Sequence, residues 1–92
     1  MLLYDPKYCK AHTNIGQIAF LQQQFEKSRG SFESSISHCS DNIIAHYGLG
    51  NLYYGPLRNA QKAAIHYQAV LDLNPNFEHA ADAREKLLDL TW

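Results

Sequence analysis

Ile44-Ala45-His46-Tyr47-Gly48-Leu49-Gly50-Asn51-Leu52-Tyr53-Tyr54, then Ala60-Gln61-Lys62-Ala63-Ala64-Ile65-His66-Tyr67-Gln68-Ala69-Val70-Leu71, then Asn74-Pro75, is the stretch that decides the fold. In its second half the apolar positions are Ala60, Ala63, Ala64, Tyr67, Val70 and Leu71, the stripe of an amphipathic helix. Asn59 is suited to cap that helix, and Gly55-Pro56 breaks the chain just before it. Asn74-Pro75 ends it, because a residue preceding proline avoids the α region. In the first half, Ile43/Ile44, Tyr47, Gly50/Asn51 and Tyr54 also recur at helical spacing, with Ser40 or Asp41 as the expected cap. The stretch therefore predicts a helix, a tight turn and an antiparallel helix.

The pattern occurs twice. His12-Thr13-Asn14-Ile15-Gly16 parallels His46-Tyr47-Gly48-Leu49-Gly50 at an interval of 34 residues (50 − 16). Leu2-Leu3-Tyr4-Asp5-Pro6 likewise parallels Leu71-Asp72-Leu73-Asn74-Pro75. A fixed interval of this size marks a stacked-repeat architecture. The full unit, His46-x2-Leu49-Gly50-x2-Tyr53, Ala63-x3-Tyr67 and Pro75, resembles the tetratricopeptide repeat, whose pattern is Trp-x2-Leu-Gly-x2-Tyr, Ala-x3-Phe and Pro. His46 stands in the Trp slot and Tyr67 in the Phe slot. The earlier unit is more diverged: His12-x2-Ile15-Gly16-x2-Ala19, Ser28-x3-Phe32, with Ser40 in the Pro slot. Its small residues Gly16, Ser28 and Ser35 still stand where helices approach closely. Gly16 to Phe32 spans 16 positions and Gly50 to Tyr67 spans 17, so the second unit carries one extra residue, assigned to the turn at Tyr54–Arg58. Short turn insertions cost little.

The expected fold is all-α: an α-α superhelix of two tetratricopeptide-type hairpins closed by a C-terminal capping helix. Residues 1–6 read as the tail of a preceding repeat, 7–41 as repeat one, 42–75 as repeat two with its inserted turn residue, and 76–92 as the cap. In the cap, Phe77, Ala80/Ala81, Leu87 and Leu88 form the apolar stripe, and Glu78, Asp82, Glu85, Lys86 and Asp89 the polar face. The repeat tail points to membership in a larger protein and to an uncapped N-terminal face, for which self-association is the expectation.

Composition narrows the function. Charged residues make up 18% of the chain and apolar ones 46%, which suits a packed domain. A net charge of −1 offers no basic field for a phosphate backbone, so nucleic acid is not expected as a partner. No apolar run approaches the roughly 20 residues of a membrane span, and no signal peptide is recognisable, so a cytoplasmic setting is the default expectation. Two cysteines do not constitute a disulfide framework. Cys9 and His12 fall at one end of the first hairpin and His38-Cys39 return to the same end, a geometry compatible with a tetrahedral Cys2His2 site. Their spacing matches no zinc pattern, so no metal or other cofactor is assigned. No phosphate loop, nucleophile elbow or His-Glu-x-x-His helix is present, and His38 and Cys39, adjacent on a helix, do not face one another. An enzyme is not expected.

The resemblance implies where a partner would sit. In tetratricopeptide proteins the first helices of successive repeats line a concave groove that holds an extended peptide or a helix. Carried over, the groove positions are Lys10, Thr13, Asn14, Gln17, Phe20 and Leu21 in the first repeat, and Ile44, Tyr47, Gly48, Asn51 and Tyr54 in the second. Tyr47 and Tyr54 would offer rigid aromatic contacts, and Asn14, Gln17 and Asn51 amides that pair with a peptide backbone. The basic clamp that some members use for acidic chaperone tails is not reproduced: only Lys10 and Asn14 could belong to one. The implied function is a protein-protein interaction module within a larger scaffold; the alternative is a purely structural segment of a longer solenoid or homo-oligomer.

Overall fold

A computed structural model describes residues 6–90, so the expected repeat tail lies, apart from Pro6, outside the described residues. Five helices follow in order: α1 (Pro6–Leu21), α2 (Phe25–His38), α3 (Ile43–Tyr54), α4 (Ala60–Leu73) and α5 (Ala80–Leu90). No strand occurs among the described residues. Each helix packs on the next, and α3 also touches α1 and α5.

Side-chain contacts fix the directions. Cys9 meets Cys39, Thr13 meets Ser35 and Gly16 meets Ser28, so α1 and α2 are antiparallel. Tyr53 near the end of α3 meets Lys62 near the start of α4, and His46 further back meets His66 further on, so α3 and α4 are antiparallel through the 55–59 connection. Tyr47 bonds Asp82, Asn51 bonds Lys86 and Tyr54 bonds Asp89, each pair 35 residues apart, which lays α5 parallel to α3 one interval further along. The architecture is an all-helical solenoid of hairpins.

The core follows from glycines and aromatics. Phe32 on α2 is only 1% exposed. A Cβ added at Gly16 of α1 would stand 2.8 Å from its ring, and one at Gly48 of α3 2.5 Å away. The ring is therefore clamped between two helices that approach it only because both positions lack a side chain. Tyr67 on α4 repeats the arrangement against Gly50, where an added Cβ would come within 2.7 Å of the ring. Its hydroxyl donates to Asn51 Oδ1 at 2.6 Å, so burying the phenol leaves no unpaired polar atom.

Helix α2 is serine-rich and intrinsically a poor helix former. Its two fully buried serines compensate through packing and bonding: Ser28 Oγ donates to the Gly16 carbonyl at 2.7 Å and Ser35 Oγ to the Cys9 carbonyl at 3.0 Å. Asn59 caps α4, its Oδ1 accepting from Lys62 N at 3.1 Å. The cap of α3 is Asn42 rather than Ser40 or Asp41. Its Oδ1 accepts from Ala45 N at 3.3 Å while its amide donates to Thr13 Oγ1 at 2.7 Å and Ser35 Oγ at 2.8 Å. One side chain thus caps the start of α3 and ties three helices together, which a shorter serine could not do. The turns 22–24 and 55–59 each place a non-glycine residue in the left-handed region, Gln23 and Arg58.

Two further features differ from the sequence reading. Helix α5 turns Ala80, Ala83, Leu87 and Leu90 toward the core, leaving Ala81 and Leu88 exposed, because Asp82 and Lys86 reach back to α3. Cys9 and Cys39 are joined in a disulfide that ties the first turn of α1 to the residue after α2. Their sulfurs are therefore bonded to one another rather than presented as thiolate ligands beside His12 and His38. Among the described residues no group of three or more metal-ligating side chains converges.

His46, in the slot where the family has Trp, packs against His66, with Nδ1 to Nδ1 at 3.1 Å. His46 Nε2 lies 2.9 Å from the Ser40 carbonyl, which can only accept, so this nitrogen carries the proton. With that proton on Nε2, Nδ1 of His46 accepts and His66 Nδ1–H donates. Burial first, then His46 and the Lys62 ammonium, pushes the His66 pKa from 6.5 down to about 4. A lowered folded-state value means the stabilisation is complete above pH 6.5 and is lost as pH falls toward 4. Allowing for partial solvent screening, a loss of about 1–2 kcal/mol is expected across that window. Thermal melts between pH 7 and 4 should show it, and His66→Asn should flatten the dependence; an unchanged slope in that variant would rule out His66 as its source.

Candidate protein-interaction groove

The repeat interval aligns the inner faces of the first helices. Lys10, Ile44 and His79 occupy equivalent positions (10 + 34 = 44; 44 + 35 = 79), as do Gln17, Asn51 and Lys86 (17 + 34 = 51; 51 + 35 = 86). Along this row lie two adjoining depressions. The first, about 360 Å³, is lined by Lys10, Thr13, Asn14, Gln17 and Ile44 together with Asp41, Asn42 and the Cys9–Cys39 pair. The second, about 440 Å³, is lined by Gln17, Phe20, Leu21, Ile44, Tyr47, Gly48 and Asn51 together with Phe32, Glu78 and His79. Gln17 and Ile44 border both, so the two form one continuous groove across α1, α3 and the approach to α5.

All the candidate positions except Tyr54 border this groove. Tyr54 lines a separate depression between α3 and α5 with Asp82, Lys86 and Asp89, and its hydroxyl donates to Asp89 Oδ2 at 2.8 Å. Thr13 borders the groove but is only 6% exposed, and its hydroxyl is engaged with Cys9 O, Ser35 and Asn42. It builds the wall and does not offer a free hydroxyl. Lys10, Asn14, Gln17 and Leu21 are exposed, Phe20 and Ile44 half-buried.

Tyr47 and Asn51 are more committed than their sequence positions suggest. The Tyr47 hydroxyl donates to Asp82. Its ring stacks on His79 with centroids 5.0 Å apart and meets Phe77 edge-on at 6.0 Å. Burial, reinforced by the Asp82 hydrogen bond, pushes the Tyr47 phenol up to about 12. The same bond, with help from Lys86, holds the Asp82 carboxyl below the usual range despite some burial. Asn51 Oδ1 accepts from Tyr67 and from Lys86 Nζ, the latter at 3.3 Å. These residues brace α3 against α4 and α5.

The chemistry of the groove is therefore divided. One compartment is polar, with a lysine, an aspartate and carboxamides over the disulfide. The other is apolar, with Phe20, Leu21 and Ile44 around a floor where Phe32 is reached past the missing side chain of Gly48, and with Glu78 and His79 at the rim. Such a surface can take an extended segment that alternates backbone hydrogen bonding with a buried apolar side chain. Asp41, Asn42, Glu78 and His79 are absent from the set read off the first helices. The interval alone places His79 beside Ile44 and Lys10, and that signal was available; Asp41 and Asn42 enter because the α2–α3 connection folds over the groove.

Over 72 residues, 78% of the chain, the sequence is 36% identical to anaphase-promoting complex subunit 3 of Schizosaccharomyces pombe. The chain spans only 11% of that relative's length. No family model matches the chain, and no solved structure does.

Proposed function

The chain belongs to the tetratricopeptide-repeat family, and on that premise we propose that it is a protein-protein interaction module that holds an extended or helical segment of a partner in the α1–α3 groove. The observation that carries this reading is the continuity of the groove. Residues from two hairpins and from the approach to α5 converge on one surface in which a polar compartment adjoins an apolar one. The relative is by name a subunit of a complex, which supports a place for this chain in a multi-protein scaffold rather than in catalysis.

The open residues are the better probes, because Tyr47 and Asn51 are braced against α4 and α5. A photo-cross-linking residue at Gln17 is expected to capture a partner that the same residue at exposed Ile65, outside the groove, does not. Ile44→Glu should then weaken binding of that partner at least tenfold, as burying one uncompensated charge against apolar surface costs several kcal/mol, with the thermal midpoint little changed. Equal cross-linking from Ile65, or normal binding by Ile44→Glu, would refute the groove assignment.

A second reading, a structural segment of a longer solenoid with no ligand of its own, is favoured by the exposed isoleucines of α1. It predicts no groove cross-link at all.

A further inference from the structure

Each second helix carries one aromatic side chain that is received by two neighbours. Phe32 lies against Gly16 in its own hairpin and Gly48 in the next. Tyr67, 35 positions later, lies against Gly50 in its own hairpin, and the position 35 after Gly48 is Ala83, fully buried in the same core. The receiving position is thus glycine on α3 and alanine on α5. On α1 the equivalent position, 34 before Gly48, is Asn14.

The surroundings of Asn14 match a surface that the molecule covers elsewhere. Ala11, Ile15 and Ile18 stand 34 positions before Ala45, Leu49 and Leu52. The three α3 residues are fully buried, whereas Ile15 is 41% and Ile18 55% exposed. Helix α1 has its own second helix and a following first helix, as α3 does. The difference is that α3 has a hairpin packed ahead of it, and α2 of that hairpin lies on α3.

We infer that the Ala11–Ile15–Ile18 face of α1 docks a helix of the α2 kind, the second helix of another tetratricopeptide hairpin, and that Asn14 selects which hairpins fit. At Gly48 a single added carbon would already stand 2.5 Å from the Phe32 ring. An asparagine at that position excludes a phenylalanine or tyrosine seated as Phe32 is. The face therefore takes a hairpin whose residue at that position is smaller and able to hydrogen-bond a carboxamide. The outward side of α5 carries exposed Arg84 and Glu85 beside Ala81 and Leu88, and by the 35-residue interval α5 is a first helix rather than a second, so head-to-tail stacking of copies is not the fit.

The test needs no groove ligand. A second copy of residues 7–40 is inserted between Pro6 and Lys7 of the full chain, so that each copied residue stands 34 positions before its counterpart. The insert is made with Asn14 retained and with Asn14→Gly at the original position, the residue that receives Phe32 at Gly48, and each is compared with the same chain lacking it. Closure of the copied Cys9–Cys39 bond, followed by thiol labelling, reports that the insert has folded. With Asn14→Gly, amide hydrogen exchange at Ile15 and Ile18 should slow at least tenfold on adding the insert. With Asn14 retained, the insert should change it less than about twofold. Equal protection in both backgrounds would overturn the selection by Asn14, and protection in neither would overturn the docking face. Protection that grows with concentration in the chain without insert would assign the face to a second copy and likewise overturn the proposal.

Discussion

Replacing Phe32 with alanine is expected to lower the unfolding free energy by about 3–5 kcal/mol, the range for truncating a buried phenylalanine. The upper half of that range applies, because the site cannot collapse easily: the ring is held between Gly16 and Gly48, whose backbones would have to move to fill the void. A domain of this size has only about 5–15 kcal/mol in total, so the variant should sit near the edge of folding. At roughly 4–8 °C per kcal/mol, the midpoint should drop by more than about 16 °C. Urea unfolding followed by circular dichroism measures it. The half-buried Phe25, which packs only at the margin of the core, serves as the comparison and should cost less when truncated. A loss at Phe32 of under about 1 kcal/mol would contradict the clamp.

Opening the Cys9–Cys39 bond is the second large effect. The cross-link joins residues 30 positions apart, and closing a loop of that size restricts the unfolded chain by about 3–4 kcal/mol in the chain-entropy account. The cost falls on the hairpin least able to bear it, since α2 is rich in serine and contains Gly30. Excess reductant should therefore lower the thermal midpoint markedly, and the Cys9→Ser/Cys39→Ser double variant should melt low with or without it. Complete reduction, verified by thiol labelling, with no shift in the midpoint would show that the bond contributes nothing to stability.

The hairpins and their order were legible because they rest on local signals: apolar residues at helical spacing, breakers at Gly55-Pro56 and Asn74-Pro75, and glycines a fixed interval apart. What escaped depends on residues that meet only after folding. Asn42 displaced Ser40 and Asp41 as the α3 cap because its amide also bridges Thr13 and Ser35 on two other helices. The stripe of α5 turned because Asp82 and Lys86 find partners on α3. The cysteine bond has no spacing signature of its own; antiparallel packing brings Cys9 to Cys39. In the groove, the periodicity that maps Thr13 onto Tyr47 says nothing of side-chain length. The short threonine turns to the Cys9 carbonyl one turn back, while the long tyrosine reaches α5. Tyr54 left the groove for the same reason, drawn to Asp89.

The Cys9–Cys39 link also decides how the molecule carries a load. Tension applied along the chain enters α1 near Cys9 and leaves at Cys39 through the covalent bridge. The 30 intervening steps of backbone, which include all of α2, are shunted out of the load path. At about 3.3–3.6 Å per residue, roughly 100 Å of extensible length is withheld while the bond is intact. An oxidised module is thus a short, stiff link at its first hairpin, and what stretch it has lies in α3 to α5, where helices are tied by hydrogen bonds and packing alone.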